Sequence, residues 1–155
     1  MRKRKPKIRV IAPDPRYGDP MITQFVNNMM FSGKKATTFR VFYDAMDIIK
    51  ERTKLDEHAV WKKALNNIMP QVEVRSRRIG GATFQIPIEI RAKRKVSIGM
   101  KWLVRFSRKR SGKGMAQKLA AEIIAGSKGE GAAVKKKEDT HKMAESNRAF
   151  AHFRV

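Results

Sequence analysis

The residues of this chain best suited to chemistry are its arginines and lysines, and the chemistry is neutralisation of phosphate. Arg75, Arg77 and Arg78 crowd into one short segment of period two. Lys101, Arg105, Arg108 and Lys109 fall at i, i+4, i+7 and i+8, which puts them on one face of a helix. Arg91, Lys93, Arg94 and Lys95 lie between those groups, and Lys34 and Lys35 follow Gly33. Arg2, Lys3, Arg4, Lys5, Lys7 and Arg9 load the start of the chain. Like charges at such spacings repel in water. A polyanion relieves the repulsion, because each phosphate contacted releases condensed counterions. Phe84 and Trp102 sit beside these groups, and each serves either packing or stacking on a nucleotide.

Other chemistries find little material. Cysteine is absent, so there is no disulfide, thiolate metal site or cysteine nucleophile. The histidines are His58, His141 and His152, and none belongs to a His-Glu-x-x-His pattern. Asp139-Thr140-His141 reads as capping or hydrogen bonding near a helix start rather than as an acid–base pair. Gly80-Gly81 and Gly112-Lys113-Gly114 lack the phosphate-loop pattern and read as turns. No catalytic residue, metal or cofactor is expected, and the chain is not expected to be an enzyme.

The 155 residues carry 36 Lys+Arg against 14 Asp+Glu, a net charge of +22, with 41% hydrophobic residues. That apolar fraction supports a folded domain, and no apolar run approaches the ~20 residues of a membrane span. The charge is unevenly spread. Residues 20–70 hold eight bases and five acids, whereas residues 101–118 hold seven bases and no acid. Residues 1–19 and 71–95 each hold seven bases and two acids. A charge so concentrated implies a polyanionic partner. The start of the chain resembles neither a secretory signal nor a mitochondrial presequence, and the composition fits a reducing cytosol.

The elements that position these cations follow from periodicity. Residues 1–18, with Pro6, Pro13, Pro15 and Gly18, read as an extended basic arm ordered only on binding. Asp19-Pro20 caps a first helix, and a second is expected over 35–53 as a central, well-buried element. Asp56 caps a third helix, stopped by Pro70. Alternation over about 71–90, broken at Gly80-Gly81, predicts a β-hairpin, which Pro87 marks as an exposed ribbon. Further helices are expected over 96–109, from Met115 to the break at Gly126, and over roughly 137–149. The fold class is therefore mainly α. It is a single domain, residues 19–155, of about six helices with a protruding two-stranded hairpin and a basic arm.

An arm, a ribbon and a basic helix suit a folded RNA recognised by shape. A DNA-bending architectural protein using the hairpin in the minor groove remains open at this point, as does a general RNA chaperone.

Three stretches resemble the bacterial small-subunit ribosomal protein seven family. They are Gly33-Lys34-Lys35 with Tyr43-Asp44-Ala45; residues 64–70 with Val74-Arg75-Ser76-Arg77-Arg78-Ile79-Gly80-Gly81-Ala82-Thr83-Phe84-Gln85-Ile86-Pro87; and residues 136–145 with Ala149-Phe150-Ala151-His152. The likeness is collinear over nearly the whole chain. It implies six helices with a hairpin arm and binding to the 3′ major domain of small-subunit rRNA. It also implies organisation of head assembly, and a position near the exit-site tRNA and the mRNA path. The implied partners are that rRNA, the nearby tRNA and mRNA, and neighbouring small-subunit proteins, in the cytoplasmic ribosome, with no membrane contact and no homo-oligomer. The cations named above are the matching rRNA-binding positions. Phe84 stands where the family often has tyrosine, so stacking is retained without the hydroxyl, and the chain closes with Arg154-Val155 where many relatives carry an aromatic residue.

Overall fold

Asp19 and Pro20 start the first helix as their types predict. The Asp19 carboxylate accepts from the Met21 N–H at 2.8 Å, and Pro20 occupies the first turn of α1 (Pro20–Met29). A computed structural model describes residues 9–153 of the chain. Helix α2 spans Lys35–Thr53 and ends on Lys54 in the left-handed conformation. Asp56 caps α3 (Glu57–Ile68) by accepting from the His58 and Ala59 N–H groups. Strands β1 (Val72–Ile79) and β2 (Ala82–Glu89) pair antiparallel. Their two-residue turn uses Gly80 and Gly81 at φ +57° and +90°, which only glycine adopts easily. Helices α4 (Ala92–Lys109), α5 (Met115–Ser127) and α6 (Ala132–Ser146) follow, then a 3-10 helix over Arg148–Phe153. The mainly helical class with a hairpin is as expected.

Three expectations about where segments begin and end need correction. Helix α4 starts at Ala92 rather than 96, so Lys93, Arg94 and Lys95 occupy its first turn. Helix α6 starts at Ala132 rather than 137, which puts Asp139-Thr140-His141 in mid-helix. The buried Glu122 carboxylate explains the early start, because its Oε1 accepts from the Ala133 N–H at 2.9 Å. The third concerns the arm, whose last residues belong to the body. Asp14 is buried, accepts from the Arg16 and Tyr17 N–H groups, and takes the Tyr43 hydroxyl at 2.6 Å. The Tyr17 hydroxyl donates to Glu57, and the Arg16 guanidinium donates to Asp47 at 2.6 Å. Burial and then the Asp14 bond push the Tyr43 phenol up to about 12. Residues 14–18 are thus a strap tied to α2 and α3.

The core is centred on α5, which packs against α2, α3, α4 and α6. Helix α2 was expected in that role, but Val41 and Ile48 are only half-buried. Close approach of α5 to α3 depends on Gly126, where an added Cβ would lie 3.2 Å from Ile68 Cδ1 and 3.5 Å from Ala64 Cβ. Trp61, Phe25 and Phe42 meet with ring centroids 5.6–6.1 Å apart, two of the pairs edge-on. Each such side chain, fully buried, contributes roughly 1.5–3 kcal/mol. This core supports α4 from one side, α6 and the 3-10 helix carry the hairpin, and the basic groups of both are left outside.

Candidate nucleic-acid interface

The strand register decides how the hairpin presents its arginines. Glu73, Arg75 and Arg77 pair with Ile88, Ile86 and Phe84, whereas Arg78 pairs with Thr83. Side chains alternate faces along a strand, so Arg75 and Arg77 share one face and Arg78 projects from the other. All three are exposed. The valines Val72 and Val74 lie on the Arg78 face, opposite to the face of Ile86 and Ile88. Neither side of the ribbon is wholly apolar, and each borrows cover from the C-terminal elements.

Phe84 packs against Phe150 and Phe153, with centroids 5.2 and 5.5 Å away. Arg77 Nη1 donates to the Phe153 carbonyl at 3.0 Å. Of the two roles open for Phe84, the structure displays packing. At the ribbon's base, the Gln71 N–H donates to His141 Nε2 at 3.1 Å. Burial and then the Lys137 charge hold the His141 imidazole below its ordinary 6.5.

Glu73 organises the second group of cations. Its carboxylate accepts from Arg75 Nε at 2.8 Å and from Arg94 Nη2 at 2.9 Å. Burial alone would raise this carboxyl, but hydrogen bonds from Arg94 and Arg75 outweigh it and hold the group below its ordinary 4.5. The pairing joins β1 to the first turn of α4. That turn holds Lys93, Arg94 and Lys95 behind the N-cap residue Arg91, with no acid. Cations there oppose the helix dipole, and an anion supplied by a partner would remove the conflict. Sequence alternation placed Glu73 and Arg75 on one face, yet nothing in it joined Glu73 to Arg94.

The helical stripe lies where spacing put it. Lys101, Arg105, Arg108 and Lys109 are all exposed on α4, while Met100, Leu103 and Val104 are buried behind them. Arg108 is held in place by donating to the Met29 carbonyl at 2.9 Å. Trp102 is half-buried and packs against the core. Lys34 is the N-cap residue of α2, which no side chain caps, and Lys35 Nζ lies 5.8 Å from the Phe39 ring centroid. Arg9 is exposed. Arg2, Lys3, Arg4, Lys5 and Lys7 lie outside the described residues, as do Arg154 and Val155.

Sequence reasoning missed a cavity between α1, α2, α4 and α5, because its walls come from four separate elements. Among the described residues, no group of three His, Asp or Glu could hold a metal ion, and no helix is long and apolar enough to cross a membrane.

Residues 1–148 match the family described as ribosomal protein S7p/S5e. The chain is 60% identical over 157 residues to the small ribosomal subunit protein uS7 of Flavobacterium psychrophilum, covering 99% of each chain. Identity to the uS7 proteins of Cytophaga hutchinsonii and Porphyromonas gingivalis is 58% and 60%, again over 99% of each chain.

Proposed function

The chain belongs to the ribosomal protein S7p/S5e family, and from that premise we propose that it binds the 3′ major domain of small-subunit rRNA and organises assembly of the head. It is a structural ribosomal protein of the small subunit and not an enzyme. In this reading it lies near the exit-site tRNA and the mRNA path, beside neighbouring small-subunit proteins, as a single copy in the cytoplasmic ribosome. Arg2, Lys3, Arg4, Lys5, Lys7, Arg9, Lys34, Lys35 and the cations of β1 and α4 contact phosphate. Trp102 and Phe84 are the candidate stacking residues.

One observation carries the reading furthest. Exposed cations occupy both faces of β1, the first turn of α4 and the outer side of α4, opposite the buried core. Such a surface supplies position and affinity through phosphate, and RNA shape supplies most of the specificity. The test is filter binding of the full chain to a 3′ major domain rRNA fragment between 50 and 200 mM salt. Affinity should fall steeply across that range, and an unrelated duplex should compete poorly. Equal affinity for unrelated DNA or RNA duplexes would point instead to a DNA-bending or general chaperone protein.

A further inference from the structure

A cavity of about 370 Å³ opens between the end of α1, the start of α2, the end of α4 and the start of α5. That volume falls within the roughly 300–1,000 Å³ of small-molecule sites. Met29, Phe31, Val41 and Met115 give it apolar walls, and Lys34 and Arg108 complete the lining with positive charge. We propose that this cavity receives one unstacked nucleobase of the bound RNA, with the adjoining phosphates on Lys34 and Arg108. The inference deepens the RNA-binding reading and rests on it.

Four features point to a nucleotide. Phe31 is 74% exposed at the edge of the apolar walls, so the ring and the groove together offer one ligand-sized apolar surface. Ser32 and Gly33, at φ +50° and +74°, hold the turn that follows Phe31. An aromatic ring beside an apolar wall is the platform on which unpaired RNA bases stack. The second feature is charge. The lining has two cations and no acid, which suits a group that is apolar on its faces and anionic along its backbone. The third is preorganisation. The bond from Arg108 Nη2 to the Met29 carbonyl fixes the guanidinium at the cavity wall and uses one of its five N–H donors. The fourth is polarity available to a base edge. Ser32 and Thr37 are exposed lining residues with hydroxyls, whereas the Thr38 hydroxyl is already engaged by the Lys34 carbonyl at 2.8 Å. An apolar side chain from a protein partner would fill the walls but leave both cations unmatched.

The test uses the full chain and the same 3′ major domain rRNA fragment. Phe31→Ala removes the ring, and Thr37→Trp fills the mouth from an exposed position, so neither disturbs the buried core. Each should weaken binding about 5- to 150-fold, the range of a lost base–aromatic stack, with the salt slope unchanged. Lys34→Ala should instead flatten the slope by about 0.7–0.9. Ultraviolet crosslinking should join Phe31 to one nucleotide in wild type. Wild-type affinity in Phe31→Ala and Thr37→Trp, beside a steep wild-type salt dependence, overturns the nucleobase site and leaves the RNA reading standing. Normal RNA binding by these variants with failed recruitment of later subunit proteins assigns the cavity to a protein and also overturns it. Failure of wild type to prefer the rRNA fragment overturns the RNA reading itself, and the nucleobase site with it.

Discussion

Replacing Glu73 by glutamine should make RNA binding more salt-sensitive, although it removes no cation. Glu73 accepts from Arg75 and Arg94 together, so the three groups carry one net positive charge and neutralise about one phosphate. Glutamine keeps an oxygen that can accept from either guanidinium, and the arginines stay near their places. The net charge of the group rises from +1 to +2. One further phosphate contact adds about 0.9 to the steepness of log affinity against log salt. Between 50 and 200 mM that is an additional loss of about 3.5-fold beyond the wild-type loss. The assay is a salt titration of filter binding for wild type, Glu73→Gln and, as a control of opposite sign, Arg78→Ala, whose slope should flatten by a similar amount. Helix content from circular dichroism checks the fold. An unchanged or flatter slope in Glu73→Gln would falsify the claim that Arg75 and Arg94 both meet phosphate.

Other expectations concern the scaffold. Glu122→Ala removes the acceptor of the Ala133 N–H and the partner of Arg110. It should cost about 1–3 kcal/mol, because the N–H is buried while Arg110 can still reach water, and the melting temperature should fall by about 2–4 °C per kcal/mol. Gly126→Ala gains about 1 kcal/mol of helix propensity but forces a methyl against Ile68, which is fully buried. Overpacking of about 1–3 kcal/mol outweighs that gain, so urea denaturation should show a net loss of up to about 2 kcal/mol. The neutral His141 ring accepts from the Gln71 N–H, and its folded value lies below the unfolded 6.5. Its contribution is therefore complete above pH 6.5 and lost as pH falls below that value toward the folded one. The protection factor of the Gln71 N–H, its exchange rate relative to the intrinsic rate at each pH, should fall over that window, and His141→Gln should abolish this pH dependence.

Local signals wrote much of this fold legibly. Asp19-Pro20 and Asp56 marked helix starts because capping is a short-range hydrogen bond. The Gly80-Gly81 turn and the bounds of α2 followed from backbone preference and the 3.6-residue period. Tertiary hydrogen bonds hid the rest. Helix α6 begins early on a cap from α5, and Arg94 meets Glu73 across 21 residues of sequence. Asp14 ties down a segment whose prolines and charge read as a loose arm. Phe84 lay within a readable strand, but its cover, Phe150 and Phe153, comes from the far end of the chain. Of the candidate interface, the α4 stripe was legible because its spacing is helical. The opposed faces of Arg77 and Arg78 follow from strand alternation, but their neighbours needed the register, which places Arg77 across from Phe84 and Arg78 across from Thr83.

Binding of this basic surface to one region of small-subunit rRNA is tested most directly by ultraviolet crosslinking in growing cells, followed by sequencing of the RNA bound to the protein. Reads concentrated in the 3′ major domain, and lost together on replacing Arg77, Arg78, Arg105 and Arg108 with alanine, are the expected result. Reads scattered over unrelated RNAs, or recovered equally from DNA, would contradict it.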